Sequence, residues 1–262
     1  MEVAISVKKL KKRYKDGTLA VNNISFEVKR GEIFGFLGPN GAGKTSTIKL
    51  LTTLMKPSSG EATVAGFDIG RESNQVRQNI GIVFQEPALD SMLTGRENLD
   101  FHARLYGIKG KEIRQRIEEV LKLVGMEKKA DVPVKNYSGG MKRRLELARG
   151  LMHSPKILFL DEPTLGLDVQ TRGKIWEYIL KVREKENMTI FMTTHYMEEA
   201  EKVCERIAII DAGKILKLDK PENLVNGNFA GTIRVQTKDK IKPIRGVRKI
   251  QLKPGTVDLK VN

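Results

Sequence analysis

Gly38-Pro39-Asn40-Gly41-Ala42-Gly43-Lys44-Thr45 decides how the rest of this chain is read. The run satisfies the phosphate-loop pattern G-x-x-x-x-G-K-[ST]. Before it, Ile33 to Leu37 is a short apolar run of strand type. After it, Thr45 to Leu54 predicts a helix with Ile48, Leu51 and Leu54 on one face. The glycines let the backbone turn tightly, so that several N–H groups converge on phosphate oxygens. The helix N-terminus adds the positive end of its dipole. Lys44 supplies a full charge for the β and γ phosphates, and Ser46 continues the loop into the helix. The Thr45 hydroxyl is a hard oxygen suited to Mg²⁺. A nucleoside triphosphate is the expected ligand.

A second site lies far downstream. Ile157-Leu158-Phe159-Leu160-Asp161-Glu162 is an apolar strand ending in two acids. Carboxylates at the C-terminal edge of a parallel sheet stand where ligands bind. Asp161 is placed to hold hydrated Mg²⁺, and alternation along the extended chain turns Glu162 the other way, toward an attacking water.

Strand and helix patterns alternate around these motifs. Val3 to Val7 and Thr18 to Val28 read as strands, with a kink at Asn22-Asn23. Ala62 to Ala65, Ile80 to Phe84 and Thr189 to Thr193 read as further strands. One helical stretch runs from about Gly95 to Lys128, and others over Met141 to Met152, Lys174 to Glu186 and Met197 to Glu205. Ile207 to Ile210 and Lys214 to Leu218 predict a hairpin about Asp211-Ala212-Gly213. Such alternation indicates an α/β fold with a mainly parallel sheet. Asp219 to Gly231 reads as a linker, followed by strands over Ile233 to Thr237, Val247 to Leu252 and Thr256 to Val261. The chain stops inside that last strand pattern, so a longer accessory domain is one expectation there.

The order of motifs resembles a known family. It runs from the phosphate loop through Gln85, Tyr137-Ser138-Gly139-Gly140-Met141, Asp161-Glu162 and Leu167-Asp168 to His195. This is similar to the nucleotide-binding subunit of ABC transporters, over about residues 3 to 220. Tyr137 through Arg144, with Gln85-Glu86-Pro87-Ala88-Leu89-Asp90, is most similar to drug-resistance exporter ATPases of the daunorubicin type. The resemblance implies a P-loop NTPase cassette: a parallel core sheet, an N-terminal antiparallel β subdomain and a helical signature subdomain at about 88–152. Residues 1–220 would form that cassette, and 221–262 a linker and small basic β-rich extension.

The resemblance also implies roles. Tyr14 stacks on adenine, and Gln85 touches Mg²⁺ or water. Ser138, Gly139 and Gly140 face the ATP held by a second copy. Asp168 communicates across that dimer, and His195 contacts the γ-phosphate. Met141 and Tyr137 stand where glutamine and leucine are commoner, which bears on the details of the signature contacts. The implied partners are a second ATPase copy, sandwiching two ATP, and a separate transmembrane permease that docks near residues 86–106. The implied process is export of a drug-like, lipid or polysaccharide substrate.

Bulk properties agree with this reading and leave one alternative. The 262 residues include one cysteine, Cys204, which excludes a disulfide within the chain and points to a reducing cytoplasm. Cys204 is expected to pack as a small apolar residue. No apolar run approaches the roughly 18 residues of a membrane span, and the basic N-terminus lacks a signal-peptide core. A place on the inner face of the membrane, reached through the permease, is expected. The net charge is +15, with nine Lys/Arg against two Asp/Glu from Gly231 to Asn262. Such charge suits nucleic acid, anionic membrane or acidic protein. The alternative is a non-transport ABC ATPase acting on nucleic acid or in iron–sulfur assembly. The basic tail has no aromatic residue to stack on bases, so no nucleic-acid partner is expected.

Overall fold

A computed structural model describes residues 2–226, 232–236, 247–253 and 256–261. The chain divides into two units, Met1–Leu218 and Asp219–Asn262.

The first unit opens with β1 (Val3–Arg13) and β2 (Leu19–Lys29), then β3 (Ile33–Leu37), α1 (Lys44–Leu51), β4 (Ser59–Val64) and β5 (Phe67–Asp68). It continues with α2 (Ser73–Asn79), β6 (Ile80–Val83), α3 (Gly95–Leu105), α4 (Gly110–Leu123) and α5 (Gly139–Leu151). Then follow β7 (Ile157–Asp161), α6 (Val169–Glu186), β8 (Thr189–Thr194), α7 (Met197–Val203), β9 (Arg206–Asp211) and β10 (Lys214–Asp219). One sheet has the order β2-β1-β4-β5, and its paired strands run antiparallel. The other has the order β10-β9-β3-β8-β7-β6, with β9, β3, β8, β7 and β6 mutually parallel. An antiparallel sheet, a mainly parallel sheet and their helices make up the α/β architecture read from the alternation.

Central strands read as unbroken apolar runs because both of their faces are covered. Every residue of β3, β7 and β8 is buried. An aromatic cluster ties the two sheets: Phe26 of β2 stacks on Phe34 of β3 at 5.5 Å. Phe191 of β8 then lies 5.7 Å from Phe34 and 5.5 Å from Phe159 of β7. Each such pair adds roughly 0.5–1.5 kcal/mol beyond area burial. The cluster thereby fixes the mutual height of the strands that end at the phosphate loop and the acid pair.

Several elements differ from the sequence reading. β1 runs on to Arg13, because Lys9 adopts φ 49 and resets the alternation, so that Leu10 is buried after Val7. The kink falls at Asn23, with φ 61. α1 ends at Leu51, Thr53 turns left-handed, and Leu54 is 55% exposed rather than on the helix's buried face. The stretch read as one helix from Gly95 is two, broken where Gly107 takes φ 76. β5 and α2 have no counterpart in the sequence reading. The hairpin between β9 and β10 turns on Ala212 and Gly213, both at positive φ, the geometry that matches strand twist. Cys204 is buried, and burial pushes its thiol pKa up, as suits a small packed residue.

In the second unit, α8 (Pro221–Asn226) occupies part of the segment read as linker. β11 (Thr232–Gln236), β12 (Val247–Lys253) and β13 (Thr256–Val261) form an antiparallel sheet in the order β11-β13-β12. Thr237 and 227–231 lie outside the described residues.

α3, α4 and α5 pack together beside the parallel sheet. At their junction Tyr106 stacks on His153 at 3.7 Å, with His102 4.9 Å from Tyr106. Burial, then the neighbouring Arg149, lower the His102 pKa to about 4. The folded chain therefore binds this proton less readily than the unfolded chain, whose histidine titrates near 6.5. His102 thus supports the fold above about pH 6.5, and that support is lost as pH falls toward 4. Urea unfolding at pH 7 and pH 5 is expected to show a smaller loss on acidification in H102Q than in wild type, by on the order of 1–2 kcal/mol.

Candidate nucleotide site

Strand register brings the motifs to one edge. Leu37 pairs with Thr194, Asp161 with Thr193, and Val83 with Leu160. The phosphate loop, the acid pair, Gln85 and His195 therefore all leave the sheet at the C-terminal ends of parallel strands, where α/β sheets bind ligands. Asn40, Gly41, Gly43, Lys44, Thr45, Ser46, Gln85, Glu162 and His195 line a single cavity of about 350 Å³. Ala20 and Leu165 complete it. Neither was legible in sequence, because each contributes by position and carries no reactive group.

The loop's geometry explains its glycines. A Cβ at Gly38 would stand 2.2 Å from the Ile210 carbonyl and 3.2 Å from the Ala42 methyl. Gly43 caps α1 at φ 105, and no side chain caps that helix. Its first-turn N–H groups are thus left for an external acceptor, and the dipole makes that acceptor an anion.

Lys44 is buried, and its Nζ donates to Gly38 O at 2.8 Å and Pro39 O at 3.0 Å. It also lies 3.2 Å from Glu162 Oε1. The second Glu162 oxygen is 3.1 Å from His195 Nδ1. Glu162 thus bridges the loop's lysine and the histidine at the end of β8. Its backbone is left-handed, φ 47, a conformation that costs a non-glycine residue about 1 kcal/mol or more. The strain is held by its N–H, which reaches Thr193 O at 3.2 Å and Thr193 Oγ1 at 3.1 Å. Thr193 Oγ1 donates in turn to Asp161 Oδ1 at 2.6 Å. Tyr14 hydroxyl lies 3.0 Å from Ser46 Oγ, which sets the ring beside the first turn of α1.

The structure does not bring Ser138, Gly139, Gly140 and Asp168 into this cavity. Ser138 accepts from Met141 N and caps α5, while Asp168 accepts from Thr171 N and caps α6. These two helix starts are neighbours: a Cβ on Gly140 would meet Thr171 Cγ2 at 2.6 Å. Hydrogen bonds from Thr171 hold the Asp168 carboxyl below its usual range. From Leu167 a second network returns to the cavity. Arg172 Nε donates to Leu167 O, and its guanidinium lies 4.4 Å over the Tyr196 ring, which is itself 4.0 Å from His195.

A cage for a metal made wholly of protein is not formed: no group of three or more His, Cys, Asp or Glu able to hold one occurs among the described residues. Mg²⁺ bound with phosphates needs only one or two protein oxygens. Thr45, which lines the cavity, and Asp161, the last residue of β7, are of the right chemistry for that.

A family model described as ABC transporter matches residues 21–165. That span holds the phosphate loop, Gln85, Ser138 to Gly140 and the acid pair. The chain is 44% identical over 229 residues to the linearmycin resistance ATP-binding protein LnrL of Bacillus subtilis, covering 87% of this chain and 73% of that protein. It is 42% identical over 221 residues to the Nod factor export ATP-binding protein I of Ralstonia nicotianae, covering 84% and 68%. The dimeric post-hydrolysis structure of the ATP-binding cassette MJ0796 with ADP and Pi superposes with a TM-score of 0.75 at 30% identity, covering 83% of this chain and 98% of that one. By fold, by site and by relationship, this chain belongs to the ABC transporter family of ATP-binding proteins, whose members bind and hydrolyse ATP.

Proposed function

We propose that the chain hydrolyses Mg-ATP with Glu162 as the group that orients water, and that this hydrolysis drives export through a separate permease. The observation that carries the first half is the contact of one carboxylate with both Lys44 and His195, at 3.2 and 3.1 Å. Phosphoryl transfer to water asks mainly for positioning and charge neutralisation. Lys44 has three donors, and three protein acceptors surround it. When a γ-phosphate oxygen replaces Glu162 as one of them, the carboxylate is released toward water while His195 keeps its orientation. Gln85 lines the same cavity and is assigned to the water or metal side of the phosphate. Tyr14 is assigned to adenine stacking. Mg²⁺, held by Thr45 and Asp161, supplies further charge neutralisation when bound.

Ser138 to Gly140 and Asp168 are assigned to the site of a second copy. Their position outside this copy's cavity supports that division, since a hydroxyl at a helix start is a ready anion donor. The MJ0796 cassette is dimeric with ADP and Pi bound, which supports a two-copy reading for this chain. Relatives named for resistance and for export support the transport reading over the nucleic-acid or iron–sulfur alternative.

Among the described residues no helix is long and apolar enough to cross a membrane. The permease is assigned to another chain on the likeness to ATP-binding proteins named for resistance and export. Its docking site is assigned to a groove of about 240 Å³ bordered by Ala88, Leu93, Phe101 and Leu105. Phe101 and Leu105 are 60% and 67% exposed, and Met92 70%. Apolar exposure of this kind beside a groove marks an interaction surface. The F101D/L105D variant is expected to bind ATP as wild type does but to leave the membrane fraction of cells that make the permease. Unchanged membrane association would refute the docking assignment.

A further inference from the structure

Helix α5 carries three charged residues at one-turn spacing, Arg143, Glu146 and Arg149. Such a row usually lies on a solvated face. Here Arg143 is 6% exposed and Glu146 0%. Charges placed so deep are unfavourable unless their partners are well arranged.

Arg143 directs its donors at backbone carbonyls. Nε donates to Pro163 O at 2.6 Å, and Nη2 to Asp161 O at 3.1 Å and Glu162 O at 3.0 Å. Nη1 donates to Phe84 O. The nearest carboxylate, Glu146, is 3.8 Å away. Burial lowers the guanidinium pKa to about 10, which leaves it charged at neutral pH. One planar group therefore joins the residue before Gln85 to three consecutive residues around the acid pair. The fixed fork of a guanidinium suits that task. Glu146 and Arg149 extend the pattern by a turn each. Glu146 Oε1 accepts from Ala88 N at 2.8 Å and lies 3.2 Å from Arg149 Nη2. Arg149 Nη1 donates to Ala88 O at 2.8 Å. Ala88 and Arg149 both border the groove assigned to docking.

We propose that Arg143 is a positioning residue for hydrolysis, holding Glu162 and the approach to Gln85 in one frame that Glu146 and Arg149 keep in register with segment 86–90. The proposal rests on the ATPase reading above. Glu162 sits in a strained left-handed conformation, and the clamp on its own carbonyl and both neighbouring ones helps to hold it there. Without the guanidinium those buried carbonyls lose their donor, and the carboxylate relaxes away from the reacting atoms. The Arg143 side chain donates to no residue of the phosphate loop, so nucleotide affinity does not depend on it.

The test uses the full chain, with ATP affinity read by displacement of a fluorescent ATP analogue and kcat by phosphate release. R143M is expected to lower kcat by about 100-fold and R143K by about 10-fold, both with ATP affinity within about threefold of wild type. Lysine keeps the charge but presents its donors from one atom, so partial function is the signature of geometry. The R143M/E146Q double variant is expected to lose no more than the worse single variant. Wild-type kcat in R143M and R143K overturns the proposal. So does a loss of kcat matched by equal losses of ATP affinity and melting temperature, the pattern of a purely structural residue. Losses that multiply in the double variant overturn the shared frame. Should R143M not fold, R143K decides by the same two numbers. A wild-type chain that binds ATP without hydrolysing it overturns the underlying ATPase reading, and this proposal with it.

Discussion

Replacing Glu162 by glutamine is expected to lower ATP turnover by about 10²- to 10⁴-fold, the usual worth of a positioned general base. ATP affinity should change little. The substitution keeps the side-chain volume at a position 8% exposed, so packing is undisturbed. It also keeps an oxygen able to accept from Lys44, now 3.2 Å away, or from His195. What it removes is the charge that, in the proposed mechanism, orients water and accepts its proton. The neutral amide also weakens the resting hold on Lys44, which leaves that lysine more available to phosphate. Binding and turnover are thus predicted to separate, and equilibrium ATP binding beside steady-state phosphate release would show it. Brisk turnover in the variant would transfer the water-orienting role to another residue.

The second large effect is expected at Gly43. Gly43→Ala places a Cβ 2.2 Å from the Ala20 carbonyl, at a φ of 105 that side chains rarely adopt. Neither the β2 backbone nor the loop is able to yield without displacing the start of α1. Destabilisation of about 2 kcal/mol or more is expected, with ATP affinity at least about 100-fold weaker because the N–H groups no longer converge. Gly41→Ala provides the contrast. Gly41 has φ 80, but a Cβ added there would meet nothing within 4 Å, so only backbone strain of roughly 1 kcal/mol applies. Chemical denaturation with ATP titration of both variants separates collision from strain. Equal behaviour of the two would remove the steric argument.

The nucleotide loop and the parallel strands were legible because their residues have few other uses. Ile33 to Leu37, Ile157 to Leu160 and Thr189 to Thr193 are short apolar runs, and all are buried. The extension of β1 from Val7 to Arg13 was hidden because Lys8 and Lys9 look like a solvated turn, while a bulge in fact lets Leu10 return to the core. The break between α3 and α4 was hidden because the apolar period from Ile113 to Val124 reads back to Gly95 across Gly107 and Gly110, which both take positive φ. In sequence Arg143 is one cation of the basic run Lys142-Arg143-Arg144. A signal did exist: opposite charges at 143, 146 and 149 share one helix face. Sequence alone does not say that this face is the buried one, because Leu147, Ala148 and Leu151 mark the other side of the helix as the apolar one. The proposed division of site residues between two copies is likewise invisible in a linear motif order. The structure contributes only that Ser138 and Asp168 cap adjacent helices and do not line the cavity of Lys44 and Glu162.

In the proposed mechanism one chain supplies Lys44, Glu162 and His195 while a second supplies Ser138 to Gly140, so that ATP is hydrolysed between two copies. The decisive measurement is the mass of the E162Q chain in solution, by light scattering with and without Mg-ATP. The predicted result is a dimer that forms with Mg-ATP, retains unhydrolysed ATP and dissociates when nucleotide is withdrawn. A chain that binds ATP yet keeps the mass of a single copy would contradict it.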